Sequence, residues 1–171
     1  MRVSRTPDPK RQELGRKNRE EGKEFERRID DAFAYCRSRG SALIDKTPEP
    51  TKVIKRLEGG KFIAVIDKKA QPDYKGTIKG GRSVMFEAKF TTSDRITADR
   101  VTESQAEYLT KAEALGARCY ILAGFSSGGV YRIPWTVWQY MSKYFGRKYV
   151  KEADLEPYRI MTGTFGFLMI I

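Results

Sequence analysis

The spacing of apolar residues predicts a long helix near the start of the chain. From Glu20 onward, four apolar residues recur at intervals of four, four and three, which places them on one helical face. That stripe, which Gly40 ends, consists of Phe25, Ile29, Phe33 and Cys36. Residues 1–19 lack apolar periodicity and carry dense charge. We therefore expect a flexible basic arm at 1–19 and a folded domain over 20–171.

The middle of the chain has the pattern of strands joined by glycine turns. Two runs rich in β-branched residues flank Gly59-Gly60, which predicts a hairpin within about 52–69. A further strand and turn follow Asp73, and residues 83–90 have the composition of a core strand. Because an isolated hairpin buries little apolar surface, this one is expected to project from the domain.

The rest of the chain predicts two more helices and several strands. Thr102 and Gln105 have the spacing of a capping box and open a helix. Pro134 suits the first position of another helix, which runs to about residue 145. Three segments have strand composition: residues 118–125, 130–133 and 158–171. With no internal repeat and no linker, this order predicts a single mixed α/β domain.

Composition limits the chemistry that this domain can perform. The chain has no histidine and only two cysteines, Cys36 and Cys119, which excludes zinc fingers and histidine-based catalysis. Metal or acid–base chemistry must therefore come from Asp, Glu and Lys. Thirty-three Lys and Arg residues against 22 Asp and Glu residues give a net charge of +11. Such a surface favours a polyanion partner, with nucleic acid ahead of an acidic membrane.

One segment brings together side chains that can do this chemistry. Glu87 and Lys89 lie two residues apart in a predicted strand, so they project from one face while Phe86 faces the core. A return through the glycine turn would bring Asp73 next to Glu87. Two adjacent carboxylates attract a hard divalent cation, and a neighbouring lysine can stabilise the charge that develops during phosphodiester hydrolysis. A plain surface ion pair is the alternative for Glu87 and Lys89 taken alone.

Several motifs of the chain resemble a family of nucleases. Pro72-Asp73 followed by Glu87-Ala88-Lys89 resembles the PD-(D/E)xK motif. Between about Asn18 and Ile133, five segments are similar, in order, to the RecU-type Holliday junction resolvases. They are Gly22…Phe25-Glu26…Ile29, Lys46-Thr47-Pro48-Glu49-Pro50, Asp73-Tyr74-Lys75-Gly76, Phe86-Glu87-Ala88-Lys89 and the helix with Gln105. The archaeal Hjc-type resolvases share part of this pattern, so both branches stay open. The resemblance implies a restriction-endonuclease-like fold, in which helices flank a mixed β-sheet.

The resemblance also implies a cofactor and roles for individual residues. Asp73, Glu87 and Glu26 would bind a magnesium ion, for which manganese could substitute. Lys89 would stabilise the transition state. Gln105 matches a glutamine that functions in RecU-like proteins, and this role is compatible with its place in the capping box. Glu26, which matches the glutamate of the family's first helix, is counted among the catalytic residues together with the other four.

The predicted hairpin matches the stalk that enters the junction centre in RecU-like resolvases. Its candidate DNA-binding residues are Lys52, Lys55, Arg56, Lys61, Lys68 and Lys69. An ordinary protruding hairpin, whose lysines protect its edges from pairing, is the alternative. The resemblance implies a homodimer, and a four-way junction gives a physical reason for one. It offers two strands of like polarity, and a two-fold dimer places one site on each.

The leading hypothesis is a structure-specific endonuclease that resolves four-way (Holliday) junctions in DNA recombination and repair. It predicts no membrane partner and no small-molecule substrate. The alternatives are a restriction- or repair-type endonuclease on duplex DNA and a non-catalytic DNA-binding protein on the same scaffold. The first residues are charged and no apolar stretch typical of a secretion signal is visible among them. We therefore expect the protein in the cytoplasm of a cell or of a phage-infected host.

Overall fold

The computed structural model describes residues 9–48, 51–66 and 71–161, and within these ranges the chain forms both helices and strands. The helices are α1 (Pro9–Ser38), α2 (Glu103–Ala114), α3 (Trp135–Gln139) and α4 (Met141–Phe145). The strands are β1 (Ala42–Lys46), β2 (Thr51–Arg56), β3 (Phe62–Ile66), β4 (Tyr74–Ile78), β5 (Ser83–Thr91), β6 (Arg95–Thr97), β7 (Arg118–Phe125), β8 (Val130–Pro134) and β9 (Tyr149–Lys151). Short 3-10 helices cover Glu58–Gly60, Ala98–Arg100 and Glu152–Tyr158.

Five of these strands form a mixed sheet in the order β1-β4-β5-β7-β8. The β5–β7 pair is parallel and the other three pairs are antiparallel. A parallel pair needs a crossover connection, and α2 lies in that connection. Two separate ribbons, β2–β3 and β6–β9, lie outside this sheet. The predicted α/β domain, with a mixed sheet flanked by helices, is therefore confirmed.

The sheet has an apolar core on each face. On one face, Phe25, Ile29 and Phe33 of α1 pack with Tyr74 and Phe86 of the sheet. The Tyr74 and Phe86 rings stack with their centroids 4.8 Å apart. The predicted helical stripe is thus the buried side of α1. On the other face, the sheet packs against α2, α3 and the β6–β9 ribbon, and the fully buried residues there include Leu109, Ile121, Ile133, Val150 and Leu155.

Helix α1 begins at Pro9, which corrects the expected start at Glu20. Residues 9–19 lack an apolar stripe, and the sequence therefore predicts a flexible arm there. They are helical without one, since the segment is rich in helix-favouring charged residues and has a proline in the first turn. Arg16 pairs with Glu20 at 3.5 Å and Lys17 with Glu21 at 3.7 Å, each one turn apart. The rest of the predicted arm, 1–8, lies outside the described residues.

The segment after β8 also differs from the prediction. The helix expected from Pro134 to about residue 145 is divided at Tyr140, where the backbone leaves the helical region with φ −102° and ψ 34°. Its first half is rich in β-branched and aromatic residues, which favour helix weakly, so tertiary burial decides its path. Arg159 forms a single bridge to Tyr131, whereas residues 162–171 of the predicted terminal strand lie outside the described residues.

No helix in the described part of the chain is both long enough and apolar enough to cross a bilayer.

Candidate active site

Three of the predicted catalytic residues meet where β4 begins beside β5. Tyr74 pairs with Phe86 across the antiparallel strands, so Asp73 lies next to Glu87. Asp73 Oδ2 accepts a hydrogen bond from the Ala88 amide at 3.0 Å, which fixes its carboxylate against β5. Lys89 Nζ lies 2.8 Å from Glu87 Oε2 and 3.6 Å from Asp73 Oδ2. The structure therefore brings together the residues that the strand alternation and the glycine turn predicted to meet.

Gln105 joins this cluster from the first turn of α2. Its side-chain oxygen accepts a hydrogen bond from the Thr102 backbone amide at 3.1 Å. The Thr102 hydroxyl in turn accepts a hydrogen bond from the Gln105 backbone amide at 3.3 Å. This is the predicted capping box. The side-chain nitrogen of Gln105 donates to Glu87 Oε2 at 2.7 Å. One side chain thus caps the helix and holds the Glu87 carboxylate.

The Glu87 carboxyl group is buried in a way that opposes its ionisation. Its side chain is 0% exposed. Burial raises the pKa of Glu87 from 4.5 to about 8; the Lys89 charge lowers this pKa, and the Asp73 carboxylate raises it. Glu87 Oε1 has no hydrogen-bond partner, although the other oxygen accepts two bonds. Additional positive charge at this point would therefore stabilise the ionised form.

The donor set fits a hard divalent cation. Asp73 and Glu87 supply adjacent carboxylates, and the unpaired Oε1 atom of Glu87 is an available ligand. Within the described ranges, no three His, Cys, Asp or Glu side chains converge as a metal cluster. Magnesium needs few protein carboxylates, because it keeps several waters and binds phosphate oxygens of the substrate. A two-carboxylate site therefore suits magnesium better than it suits a cation that needs a protein cage.

Glu26 lies beside this cluster and not at its centre. Its side chain is 44% exposed on α1 and forms a close ion pair with Lys46, the last residue of β1. The hydrogen bond that Lys46 donates to Glu26 raises the pKa of Lys46, and the charges of Asp30 and Asp73 raise it further. The Lys46 ammonium thus pairs with Glu26 and lies within the electrostatic influence of Asp73. The metal and catalytic roles of Glu26 remain predictions.

Lys46 belongs to one of the motifs shared with the resolvases, but the sequence does not predict a role for it. The residue opposite Lys46 in the sheet would have shown that Lys46 lies near the site. Lys46 pairs with Tyr74 across β1 and β4, which places it next to Asp73. Tyr74 in turn donates a hydrogen bond to Asp30 at 2.8 Å, and Asp30 lies one helical turn after Glu26. The i, i+4 spacing of Glu26 and Asp30 was visible in the sequence, but the pairing of β1 with β4 was not.

The predicted basic hairpin is the separate β2–β3 ribbon. Gly59 and Gly60 form its turn with positive φ values of 70° and 75°, a conformation that glycine adopts without strain. Every residue of β2 is exposed, which includes Lys52, Lys55 and Arg56; Lys61 is exposed as well. Lys68 and Lys69 lie outside the described residues. The ribbon also exposes large apolar side chains, among them Ile54 and Phe62, and their exposure was not predicted from the sequence.

The chain is similar to known proteins in its family, its sequence and its structure. The family model described as RecU, recombination protein U, matches residues 20–168. The chain is 30% identical over 112 residues to the Holliday junction resolvase RecU of Streptococcus gordonii, a match that covers 62% of this chain and 56% of that protein. The chain thus matches little more than half the length of this relative. A solved structure of the Hjc Holliday junction resolvase of Archaeoglobus fulgidus aligns with a TM-score of 0.49 and 14% identity, over 80% of this chain and 93% of that one.

Proposed function

The chain belongs to the RecU family, and on that basis we propose that it is a metal-dependent endonuclease that cuts four-way DNA junctions. The observation that carries the proposal is the cluster of Asp73, Glu87, Lys89 and Gln105, in which a buried carboxylate lacks sufficient positive charge. The net charge of +11 supports a nucleic-acid substrate. The name of the Streptococcus gordonii relative supports the junction as that substrate.

Asp73 and Glu87 would hold the metal ion, which we propose to be magnesium, with manganese able to replace it. When bound, the ion would polarise the scissile phosphate and lower the pKa of the attacking water. Gln105 keeps one oxygen of Glu87 in place through its side-chain nitrogen. Asp73 is held by the Ala88 amide. The two carboxylates are therefore oriented by hydrogen bonds to the rest of the fold before any substrate arrives.

Lys89 supplies positive charge to the scissile phosphate. Its side chain is 12% exposed, and its ammonium group lies against both carboxylates, which direct it into the site. In phosphoryl transfer the negative charge on the non-bridging oxygens must be stabilised, and a fixed ammonium group does this at little reorganisation cost. We propose that Glu26, with Lys46, contributes to the charge balance at the edge of this site.

Two further proposals follow from the junction as substrate. The exposed β2–β3 ribbon would enter the open centre of the junction, where phosphates of several arms converge. A homodimer would place one site on each of the two strands that must be cut. With these partners the protein would act in the cytoplasm of a cell or of a phage-infected host.

A cleavage assay on three labelled substrates tests the function. With magnesium, the wild-type chain should cut a four-way junction symmetrically into nicked duplexes with 5′-phosphate ends, and cut a fork or a linear duplex far more slowly. Asp73→Asn is the control: it should abolish cleavage and leave junction binding nearly unchanged, because it removes a metal ligand and no phosphate contact. Equal cleavage of duplex and junction would favour a duplex endonuclease. Binding without any cleavage would refute the enzymatic proposal.

A further inference from the structure

A second cationic surface lies on the β6–β9 ribbon. The two strands pair antiparallel, with Ile96 opposite Val150. Both of these side chains are buried in the core, at 2% and 0% exposure. Side chains alternate along a strand, so the neighbouring cross-strand pairs face outward. These outward pairs are Arg95 with Lys151 and Thr97 with Tyr149.

This outward face carries a charge arrangement that costs stability. Arg95 and Lys151 lie directly opposite each other, and like charges in that position destabilise an antiparallel pair. One carboxylate, Asp94, contacts both cations, with Arg95 Nε at 2.9 Å and Lys151 Nζ at 4.0 Å. The Tyr149 ring lies against two guanidinium groups. The central carbon of the Arg95 guanidinium is 5.0 Å from the ring centroid, and that of Arg147 is 4.9 Å from it. The ribbon therefore concentrates cations around one aromatic ring.

The count of charges on this face leaves an excess of positive charge. Its three cations are Arg95, Lys151 and Arg147, the last placed there by its contact with the Tyr149 ring. Among the described residues, their ion pairs involve two carboxylates, Asp94 with Arg95 and Lys151, and Asp154 with Arg147. Lys148 extends the ribbon through its backbone, since its carbonyl accepts a hydrogen bond from the Ala98 amide at 2.9 Å, and the alternation turns its side chain away from this face.

The ribbon lies at the active-site end of the sheet. Strand β6 begins four residues after β5 ends, and its first carbonyl, that of Arg95, accepts a hydrogen bond from the Thr91 hydroxyl at 3.5 Å. Arg100, in the 3-10 turn that follows β6, donates to the carbonyl of Phe90 at 3.3 Å. Phe90 is the neighbour of Lys89. The chain then enters α2, whose first turn holds Gln105.

We propose that the β6–β9 face binds the sugar-phosphate backbone of the DNA arm next to the scissile phosphate. This inference rests on the proposed function, because it takes the substrate to be DNA. Arginine, lysine, threonine and tyrosine are side chains that contact phosphates, and such contacts position a protein without reading sequence. A polyanion would also relieve the repulsion between Arg95 and Lys151. The surface is separate from the β2–β3 ribbon, so each can be tested alone.

The test compares two double variants with the same loss of charge. Arg95→Gln with Lys151→Gln removes the cross-strand pair. The matched control, Arg82→Gln with Lys111→Gln, also removes one arginine and one lysine, both exposed. Arg82 directly precedes β5 and Lys111 lies in the last turn of α2, so both are at the opposite end from Glu87 and Gln105. Fluorescence anisotropy in EDTA measures binding to a junction and to a duplex over a series of salt concentrations.

We expect the ribbon variant to bind junction and duplex about tenfold more weakly, and its slope of log affinity against log salt to flatten by about 2. The control should change affinity less than threefold. All four side chains are exposed, so the control should keep the wild-type thermal unfolding midpoint, and the ribbon variant, which loses the repulsion between Arg95 and Lys151, should unfold at no lower a temperature. Equal affinities and slopes for the two variants would overturn this inference and leave the nuclease proposal intact. A wild-type chain that binds DNA through the ribbon but cuts nothing would overturn the nuclease proposal alone.

Discussion

The raised pKa of Glu87 predicts an unusual dependence of stability on pH in the metal-free protein. In the folded state this pKa is about 8, against an ordinary value of 4.5, chiefly because the group is buried. Between these values the folded protein keeps a proton that the unfolded chain has lost. Stability falls with pH wherever the native state binds more protons. The free energy of unfolding should therefore decrease as pH rises from 4.5 to 8 and level off above that.

The size of this decrease in the free energy of unfolding follows from a difference of one bound proton between the folded and unfolded states. A difference of one bound proton changes the free energy of unfolding by about 1.4 kcal/mol for each pH unit. Between about pH 6 and about pH 7.5 the expected loss is therefore about 2 kcal/mol. The chain has no histidine, so no other side chain with an ordinary pKa titrates in this interval. The slope can accordingly be assigned to Glu87 with little interference.

Urea unfolding in EDTA at the two pH values measures this loss. The midpoint urea concentration should be lower at the higher pH, while the slope of the free energy of unfolding against urea concentration stays the same. Glu87→Gln is the matched control: it keeps the shape of the side chain and an acceptor for Gln105 and Lys89, but it cannot titrate. Its stability should be nearly independent of pH over the interval. A wild-type stability that is flat or rises between the two pH values, or a slope that survives in Glu87→Gln, would refute the reasoning.

The same proton should oppose metal binding. A ligating carboxylate must be ionised, so magnesium should bind more tightly as the pH rises toward 8. Below that pH the affinity should increase about tenfold for each unit of increase in pH. Calorimetric titration in two buffers with different ionisation enthalpies should show about one proton released per magnesium ion at pH 7. Absence of proton release would place the metal away from Glu87.

Three further variants test other parts of the site and its surroundings. Lys89→Ala should lower the single-turnover cleavage rate at saturating enzyme by at least about 100-fold with little loss of DNA affinity, since its charge acts on the transition state; a loss confined to affinity would make it a DNA anchor. Gln105→Glu should preserve the capping box but lower the unfolding midpoint and slow cleavage, because a carboxylate cannot donate to the buried Glu87 and meets it as a second acceptor. Replacement of residues 55–62 by a short Gly-Ser turn should weaken junction binding more than duplex binding at one salt concentration, and equal losses would make the ribbon a generic DNA contact.

Local periodicity explains how much of the site the sequence predicted. The two-residue repeat of a strand placed Glu87 and Lys89 on one face, with Phe86 on the other. The four-residue repeat of α1 identified Phe25, Ile29 and Phe33 as its buried side, and the structure confirms it. The glycine turn between β4 and β5 set the distance over which Asp73 returns. Each of these features depends on near neighbours in the chain.

The features that the sequence did not predict depend on longer-range pairing. The contact of Lys46 with Glu26 requires β1 to pair with β4 and α1 to cross β1, and neither follows from residue spacing. Strands β6 and β9 have three residues each, too few for a periodicity to be recognised. Their pairing connects Arg95 with Lys151, which lie 56 positions apart in the sequence. Local reasoning therefore found the candidate catalytic cluster and missed the cationic surface next to it.

Gln105 shows how one side chain can cap a helix and also contact the candidate site. The third residue of a capped helix points back to the helix start, and in this fold that start lies against the buried carboxylate of β5. The cap uses the amide oxygen, and Glu87 uses the amide nitrogen. Glutamate would satisfy the cap but would present an acceptor to an acceptor. Asparagine is one methylene shorter, so it could not reach both partners at these distances. The requirement for a glutamine at this position thus comes from the cap and the site together, and neither alone selects it.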